Sequence, residues 1–201
     1  MHKVLLASRN EGKLREIQAL LSDLDFELVL PTQMGLDLHV KEDGSTYAEN
    51  AALKAQAFAQ ASGLLTLADD TGLEVAALGG KPGLYSARFA PQPGATDADR
   101  RAYLLEKLEL HPRPWPAQFR CVVALAAPNG DVRFAEGICP GEIISEERGR
   151  HGFGYDSIFL ITSIGRTMAE LTRDEKYHLS HRARAVHAAR PRLLEMANKL
   201  Q

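Results

Sequence analysis

Two cysteines in 201 residues, Cys121 and Cys139, are too few to staple a fold, and they lack the C-x-x-C spacing of a zinc or redox pair. Both read as buried thiols in a reducing compartment. No apolar stretch reaches the roughly 20 residues that cross a bilayer, and the opening run at 4–7 is too short for the core of a secretion signal. The expected location is therefore cytoplasmic, with no membrane partner. Positive charge is not in excess either: 24 Lys+Arg stand against 26 Asp+Glu, which argues against a protein that grips nucleic acid by its phosphates and for a small substrate. A hydrophobic fraction of 45% with 25% charged residues excludes disorder and supports a buried core. The length suits one domain, 1–201, long enough to fold as two lobes.

What is present alternates. The run at 4–7 ends in a polar turn, after which Leu14, Ile17, Leu21 and Leu24 recur at helical spacing. A second strand is expected at 27–30 and a loop at 31–45. The alanine-rich stretch 46–61, without Gly or Pro, predicts a helix stopped by Gly63. Residues 64–68 read as a buried strand that stops at Asp69-Asp70-Thr71-Gly72, and Gly79 to Gly83 must be a loop. Thr96-Asp97-Ala98-Asp99 resembles a capping box opening a helix through Leu108, and the three prolines between 111 and 116 mark a linker. Strands at 119–127 and 132–136 flank an Asn129-Gly130 hairpin signal. Further strands are expected at 141–145 and 157–161, and then a basic helix over 180–200 that Pro191 should kink or interrupt. The expected architecture is α/β, a mixed central sheet flanked by helices.

Five groups of residues can carry chemistry. Ser8-Arg9-Asn10-Glu11-Gly12-Lys13, between a strand and the start of a helix, can hold phosphate through backbone N–H groups, the helix dipole and the Lys13 charge; an N-cap with a solvated lysine is the plainer alternative. Asp69 and Asp70 follow an apolar strand, and their mutual repulsion calls for a hard cation such as Mg²⁺ unless the pair is only a capped turn. Glu42 and Asp43 add acidity before the helix that carries Asn50 and Lys54 one turn apart, either a phosphate-facing lysine or ordinary dipole complementarity. Aromatics make up only 6% of the chain, yet Gly149-Arg150-His151-Gly152-Phe153-Gly154-Tyr155-Asp156 combines two of them with three glycines and a carboxylate, as a base-stacking pocket or a glycine turn whose aromatics plug the core. Lys176, His181 and Arg182 cluster near the last helix, as an anion or base contact or a solvated face.

These segments, together with Ala68 to Val75, Leu78 to Phe89, Phe119-Arg120-Cys121, Ala169-Glu170-Leu171 and Ser180-His181-Arg182, resemble in order the inosine triphosphate pyrophosphatases, the Ham1-like proteins that act on noncanonical purine nucleotides. The resemblance spans nearly the whole chain. Thr71 departs from the usual serine, Ser157 from the usual proline after Tyr-Asp, and Ser8-Arg9 from Thr-Gly or Ser-Gly. None of these removes a charge that the chemistry needs.

The resemblance implies an elongated sheet with a nucleotide cleft between two lobes, usually a homodimer, and hydrolysis of ITP, XTP and their deoxy forms between the α and β phosphates. Glu42 and Asp70 would hold Mg²⁺, and Asp70 would also orient or deprotonate water. Asp69 would support the metal, a division of labour that a second metal could alter. Lys13, Lys54, Thr71 and the turn at 8–13 would take the phosphates. Phe153 would stack on the base, with Gly154, Tyr155, Asp156 and Lys176 shaping the pocket and His181, Arg182 and backbone N–H groups donating to O6. A related enzyme for modified pyrimidines or common nucleotides is the nearest rival, decided by a substrate panel. A non-catalytic sensor or RNA module would be expected to lack an acidic residue, yet Glu42, Asp69 and Asp70 are all present.

Overall fold

The computed structural model describes residues 2–200; Met1 and Gln201, at the ends of the expected 1–201 domain, lie outside the described residues. The opening apolar run is β1 (His2–Leu6), which turns into α1 (Glu11–Leu20) and then β2 (Phe26–Val29). The alanine-rich stretch is α2 (Tyr47–Ser62), capped by the Thr46 side chain and closed by Gly63 at φ +70°, the left-handed conformation that a side chain would strain. β3 (Leu65–Val75), α3 (Asp97–Leu108), β4 (Trp115–Ala126) and β5 (Val132–Ile143) follow. β6 (Phe159–Ile161), β7 (Arg166–Thr167), α4 (Arg173–Leu179) and α5 (His181–Lys199) complete the chain.

Among the described residues seven strands form one mixed sheet in the order β2-β1-β3-β4-β5-β6-β7. β1 runs parallel to β2 and β3, whereas β5, β6 and β7 are antiparallel. The chain divides into two units: residues up to 70 with 121–137 and 182 onward, and residues 71–120 with 138–181. β3, β4 and β5 each contribute residues to both.

Several expectations are corrected. β3 does not stop at Asp69; it continues through Asp70, Thr71 and Gly72 to Val75, because it lies between β1 and β4 in the sheet and Lys13 and Arg182 neutralise Asp69 within it. The proposed linker ends earlier, since β4 already includes Trp115 and Pro116. The strands expected at 132–136 and 141–145 are one strand, β5, running through Pro140. α5 is not interrupted at Pro191: the ring removes one helical hydrogen bond, but burial of Ala185, Ala189, Leu193 and Met196 holds the turns on both sides. The Asn-Gly hairpin turn is present, with Gly130 at φ +92° and the Asn129 side chain accepting the Asp131 N–H at 3.0 Å.

In the first unit α2 packs its alanines onto the sheet. Ala51, Ala55, Ala59 and Phe58 meet Leu5, Ala7, Ala68, Ala124 and Ala126 in one buried cluster. The small side chains let helix and sheet approach closely, so the alanine content serves packing as well as helix propensity. The second unit has its own core, built on Leu73, Leu104, Trp115, Phe119, Phe159 and Met168. Ala55 is fully buried, so Ala55→Leu inserts a side chain where no space exists. It should lower stability by about 1–3 kcal/mol, measured as a fall in the thermal unfolding midpoint.

Candidate active site

The register of β1 against β3, with Leu6 opposite Leu67, sets the turn that follows β1 beside the middle of β3. Asn10 is the N-cap of α1, its side chain accepting the Lys13 N–H at 3.0 Å, and the Asn10 N–H donates to Ser8 Oγ at 3.2 Å. Glu11 and Arg15 pair at the exposed surface, and Gly12 is half-buried. Lys13 is not solvated. Its ammonium lies 2.9 Å from Asp69 Oδ2 with only 16% of the side chain exposed. Arg9 does not turn into the site either; it binds Asp37, the Leu38 carbonyl and His39 on the loop before α2.

Successive residues of a strand point to opposite faces, and this separates the two aspartates. Asp69 shares the face of Leu67 and is met by Lys13, by Arg182 Nε at 3.4 Å and by the Cys121 thiol at 3.8 Å. Arg182, itself 2% exposed along its side chain, binds Glu16 through Nη1. Lys13, Asp69, Arg182 and Glu16 thus form a buried chain of alternating charge. Burial alone would raise the Asp69 carboxyl, but Lys13, Arg182 and Lys54 outweigh it and hold the group well below the ordinary carboxylate range.

Asp70 shares the face of Ala68, under α2. Asn50 donates to its Oδ2 at 3.1 Å and accepts the Gly44 N–H at 2.8 Å through the other end of the amide. Gly44 has no room for a side chain, because an added Cβ would sit 2.8 Å from Asn50 Oδ1. One turn on, Lys54 donates to Glu42 Oε2 at 3.0 Å and to the Asp69 carbonyl at 2.8 Å. Asp43 instead pairs with Lys41. Burial pushes the Asp70 carboxyl above its ordinary range; Lys54, Lys13 and the Asn50 hydrogen bond offset part of this, and Glu42 adds to the rise. The two neighbouring carboxyls are therefore shifted in opposite directions.

In the second unit the glycine-rich loop is tied by its own carboxylate. Asp156, 7% exposed along its side chain, accepts the Phe153 N–H at 3.1 Å and the Lys176 ammonium at 2.8 Å. Lys176 also lies 5.2 Å from the Phe153 ring centre. Gly152, at φ +83°, could not carry a side chain, because a Cβ there would stand 2.0 Å from Asp156 Oδ2. Tyr155 is buried and donates to the Ser86 carbonyl at 2.9 Å; burial raises its hydroxyl pKa, so it stays a donor. His181 stacks on Phe119 at 4.6 Å between ring centres.

Of the residues singled out in the sequence, Lys13, Asp69 and Arg182 come together, as do Glu42, Lys54, Asn50 and Asp70, and Phe153, Asp156 and Lys176. Lys176, on α4, binds Asp156, whereas the two residues that open α5 turn to other groups, His181 to Phe119 and Arg182 to Glu16 and Asp69. Thr71 is half-buried within β3. Glu16 was missed. Its only sequence signal is a place one turn after Lys13 on the same helix, which carries no chemistry until Arg182 is folded against it.

Such an arrangement defines a class: an α/β protein that gathers acidic and lysine side chains beside the carboxyl end of a parallel strand, where open sheets take their ligands. The Ham1 family profile matches residues 4–192, and the chain belongs to that family. The dITP/XTP pyrophosphatase of Desulforamulus reducens is 44% identical over 199 residues, covering 98% of this chain and 96% of the relative. That of Bacillus subtilis is 38% identical, covering 92% and 94%. Among solved structures, a Ham1 protein from Coxiella burnetii is 41% identical with a TM-score of 0.85, covering 100% and 98%, and the Staphylococcus aureus Ham1 protein is 36% identical with a TM-score of 0.86, covering 96% and 99%.

The opposite shifts of the two aspartates predict opposite effects in the metal-free protein. Asp69→Asn leaves Arg182 and Lys13 facing a neutral group and should cost about 3 kcal/mol, the lower end of what breaking a buried pair costs. Asp70→Asn removes a carboxylate that burial disfavours and should raise the unfolding midpoint. The pH dependence separates them as well. A depressed carboxyl contributes stability that is complete above its unfolded pKa of 3.8 and is lost as pH falls through its lower folded value. Asp69→Asn should therefore flatten the acid limb of the stability profile. A raised carboxyl disfavours the folded state as pH climbs through it, so the gain from Asp70→Asn should be greatest near neutrality and vanish in acid. Thermal unfolding of both variants from pH 3 to 8 checks the signs.

Proposed function

We propose that the chain is a nucleoside triphosphate pyrophosphatase acting on deaminated purine nucleotides, ITP and XTP with their deoxy forms, and releasing the monophosphate and pyrophosphate. The supporting observation is the Asp69–Asp70 pair: one carboxylate locked as a counter-ion for Lys13 and Arg182, its neighbour buried, raised by that burial and close enough to Glu42 to be raised further. The names carried by relatives such as those of D. reducens and B. subtilis support the substrate class.

The donor set suits Mg²⁺. Among the described residues no group of three or more His, Cys, Asp or Glu side chains could form an all-protein cage. Mg²⁺ bound with substrate phosphates needs only one or two carboxylates, and the closeness of Glu42 that raises Asp70 is relieved by a shared cation. Glu42 and Asp70 would hold it, and when bound it supplies charge neutralisation on the phosphate oxygens.

The residues of the chain do the rest. Lys13 and Lys54, with N–H groups of the turn at 8–13 and the Thr71 hydroxyl, stabilise charge building on the leaving pyrophosphate. Asp70, with its raised carboxyl, is the group suited to orient the attacking water and take its proton. Asp69 holds Lys13 and Arg182 in place and would support the metal site from there. The Phe153 ring, backed by Lys176, offers a stacking face for a purine, with Tyr155 and Asp156 fixing the loop. Donation to O6 by His181, Arg182 or backbone N–H groups would favour hypoxanthine and xanthine over adenine, because a donor left unpaired against the adenine amino group is costly. No helix among the described residues is long and apolar enough to cross a membrane. The chain works as a homodimer, a state that sedimentation of the purified protein tests.

Pyrophosphate release from ITP, XTP, GTP and ATP, with Mg²⁺ or with EDTA, tests the reading. ITP and XTP should be cleaved far faster than ATP and GTP and only with metal, and Asp70→Asn should abolish turnover. Lys13→Ala should lower kcat by about 10²-fold, the scale of losing one charge-stabilising donor. Equal cleavage of ATP would sink the base-selection argument, and turnover in EDTA would sink the metal.

A further inference from the structure

The backbone of Gly154 is gripped from α3 on both sides of its Cα, one contact on each of the two flanking peptide units. Its N–H donates to Asp97 Oδ2 at 2.7 Å, and its carbonyl accepts from Arg101 Nη1 at 2.9 Å. Arg101 continues to Glu147, with Nε 2.9 Å from Oε1, and Glu147 accepts the Ser157 hydroxyl at 2.9 Å through Oε2. Arg101, Glu147 and Ser157 therefore tie the segment just after Gly154 to the same side chain that holds its carbonyl. Asp97 is fixed in turn by Arg100, whose guanidinium also binds the Ala87 and Ala95 carbonyls. On the other side of Gly154, Phe153 is held through its N–H by Asp156 and at its ring by Lys176.

This much polar anchoring is unusual for a surface glycine loop. Gly154 sits at φ +64°, in a region where glycine moves readily, so without the grip its backbone would be free to rotate. Rotation at Gly154 would move the Phe153 ring relative to Asp156 and Tyr155. Ser157 fits the same logic: the family pattern favours a proline there, which stiffens by fixing φ, and here the hydroxyl bridge to Glu147 restrains the position instead.

We propose that Asp97 and Arg101 are specificity-determining positioning residues: by clamping the Gly154 backbone they hold the Phe153 loop in the geometry that distinguishes one purine from another. The proposal rests on the reading of that loop as the base pocket. Neither residue touches the reacting phosphates. Loss of the clamp acts on recognition of the base, because an ordered loop needs no rearrangement when the ligand binds.

The test compares Arg101→Met, Asp97→Ala and Asp97→Asn with Phe153→Ala. Each is measured for kcat and KM on ITP, for the ITP:ATP ratio of kcat/KM, and for the affinity of IMP without metal. Arg101→Met and Asp97→Ala should each raise KM and weaken IMP by about tenfold, with kcat within about twofold of wild type and a lower ITP:ATP ratio. Asp97→Asn keeps an oxygen acceptor for the Gly154 N–H and should restore most of the affinity. The double variant should be no worse than the poorer single one, since both residues restrain the same glycine and through it the same loop. If Phe153→Ala raises KM but the clamp variants only lower the unfolding midpoint, the clamp is merely structural and the proposal falls. If Phe153→Ala itself leaves KM and the ratio unchanged, the base-pocket reading fails first and the clamp's role with it.

Discussion

Asp69 is a carboxylate with 1% of its side chain exposed, and its position would be untenable without Lys13 on one side and Arg182 on the other. Arg182 in turn is buried and needs Glu16 as well as Asp69. Burying an unpaired charge costs several kcal/mol, so each member of this chain is held where the others are. The consequence reaches beyond stability. Lys13 is fixed at the start of α1, α1 is fixed to α5 through Glu16 and Arg182, and the middle of β3 is fixed against both. Arg190 adds a second tie, binding the Leu20 carbonyl and Asp23 at the far end of α1.

Strand geometry puts Asp70 on the face opposite Asp69. Asn50 supplies a single hydrogen bond to it, while the same amide keeps the Gly44 N–H and hence the acidic loop close by. Lys54 binds both Glu42 and the Asp69 carbonyl, and its charge offsets part of the rise at Asp70. The raised Asp70 carboxyl costs the fold stability, and the proposed function gives that cost a use, since functional sites commonly depart from the most stable packing. The neighbouring Asp69 supplies the rigidity that makes this tolerable.

The second unit solves a different problem with similar means. A glycine-rich loop adapts its backbone easily but holds no shape by itself. Asp156 and Lys176 fix it from within, and Asp97, Arg101 and Glu147 fix it from α3 and the preceding chain. Recognition of a flat, weakly distinguished group such as a purine ring gains from such order, since discrimination depends on donors that cannot shift to suit the wrong base.

Local rules read from the sequence hold where the determining contacts are local. Thr46 and Thr96 cap α2 and α3, Gly63 ends α2, and Asn129-Gly130 makes the hairpin, because each effect acts within a few residues. The mixed sheet and the family were legible too, from alternating patterns and from motifs in order. The extent of β3 was not: a pair of aspartates reads as a strand end until Lys13 and Arg182, distant in sequence, are known to neutralise one of them. The same holds for Pro191, which local rules make a break and packing makes an interior position. By itself the sequence determined which residues carry charge, glycine freedom and helix signals. Only the tertiary structure decided that Asp69 and Asp70 face opposite ways, that Glu16 belongs to the site and that α3 grips Gly154, because those outcomes depend on charges meeting across the fold, where burial makes each pairing matter far more than it would in water.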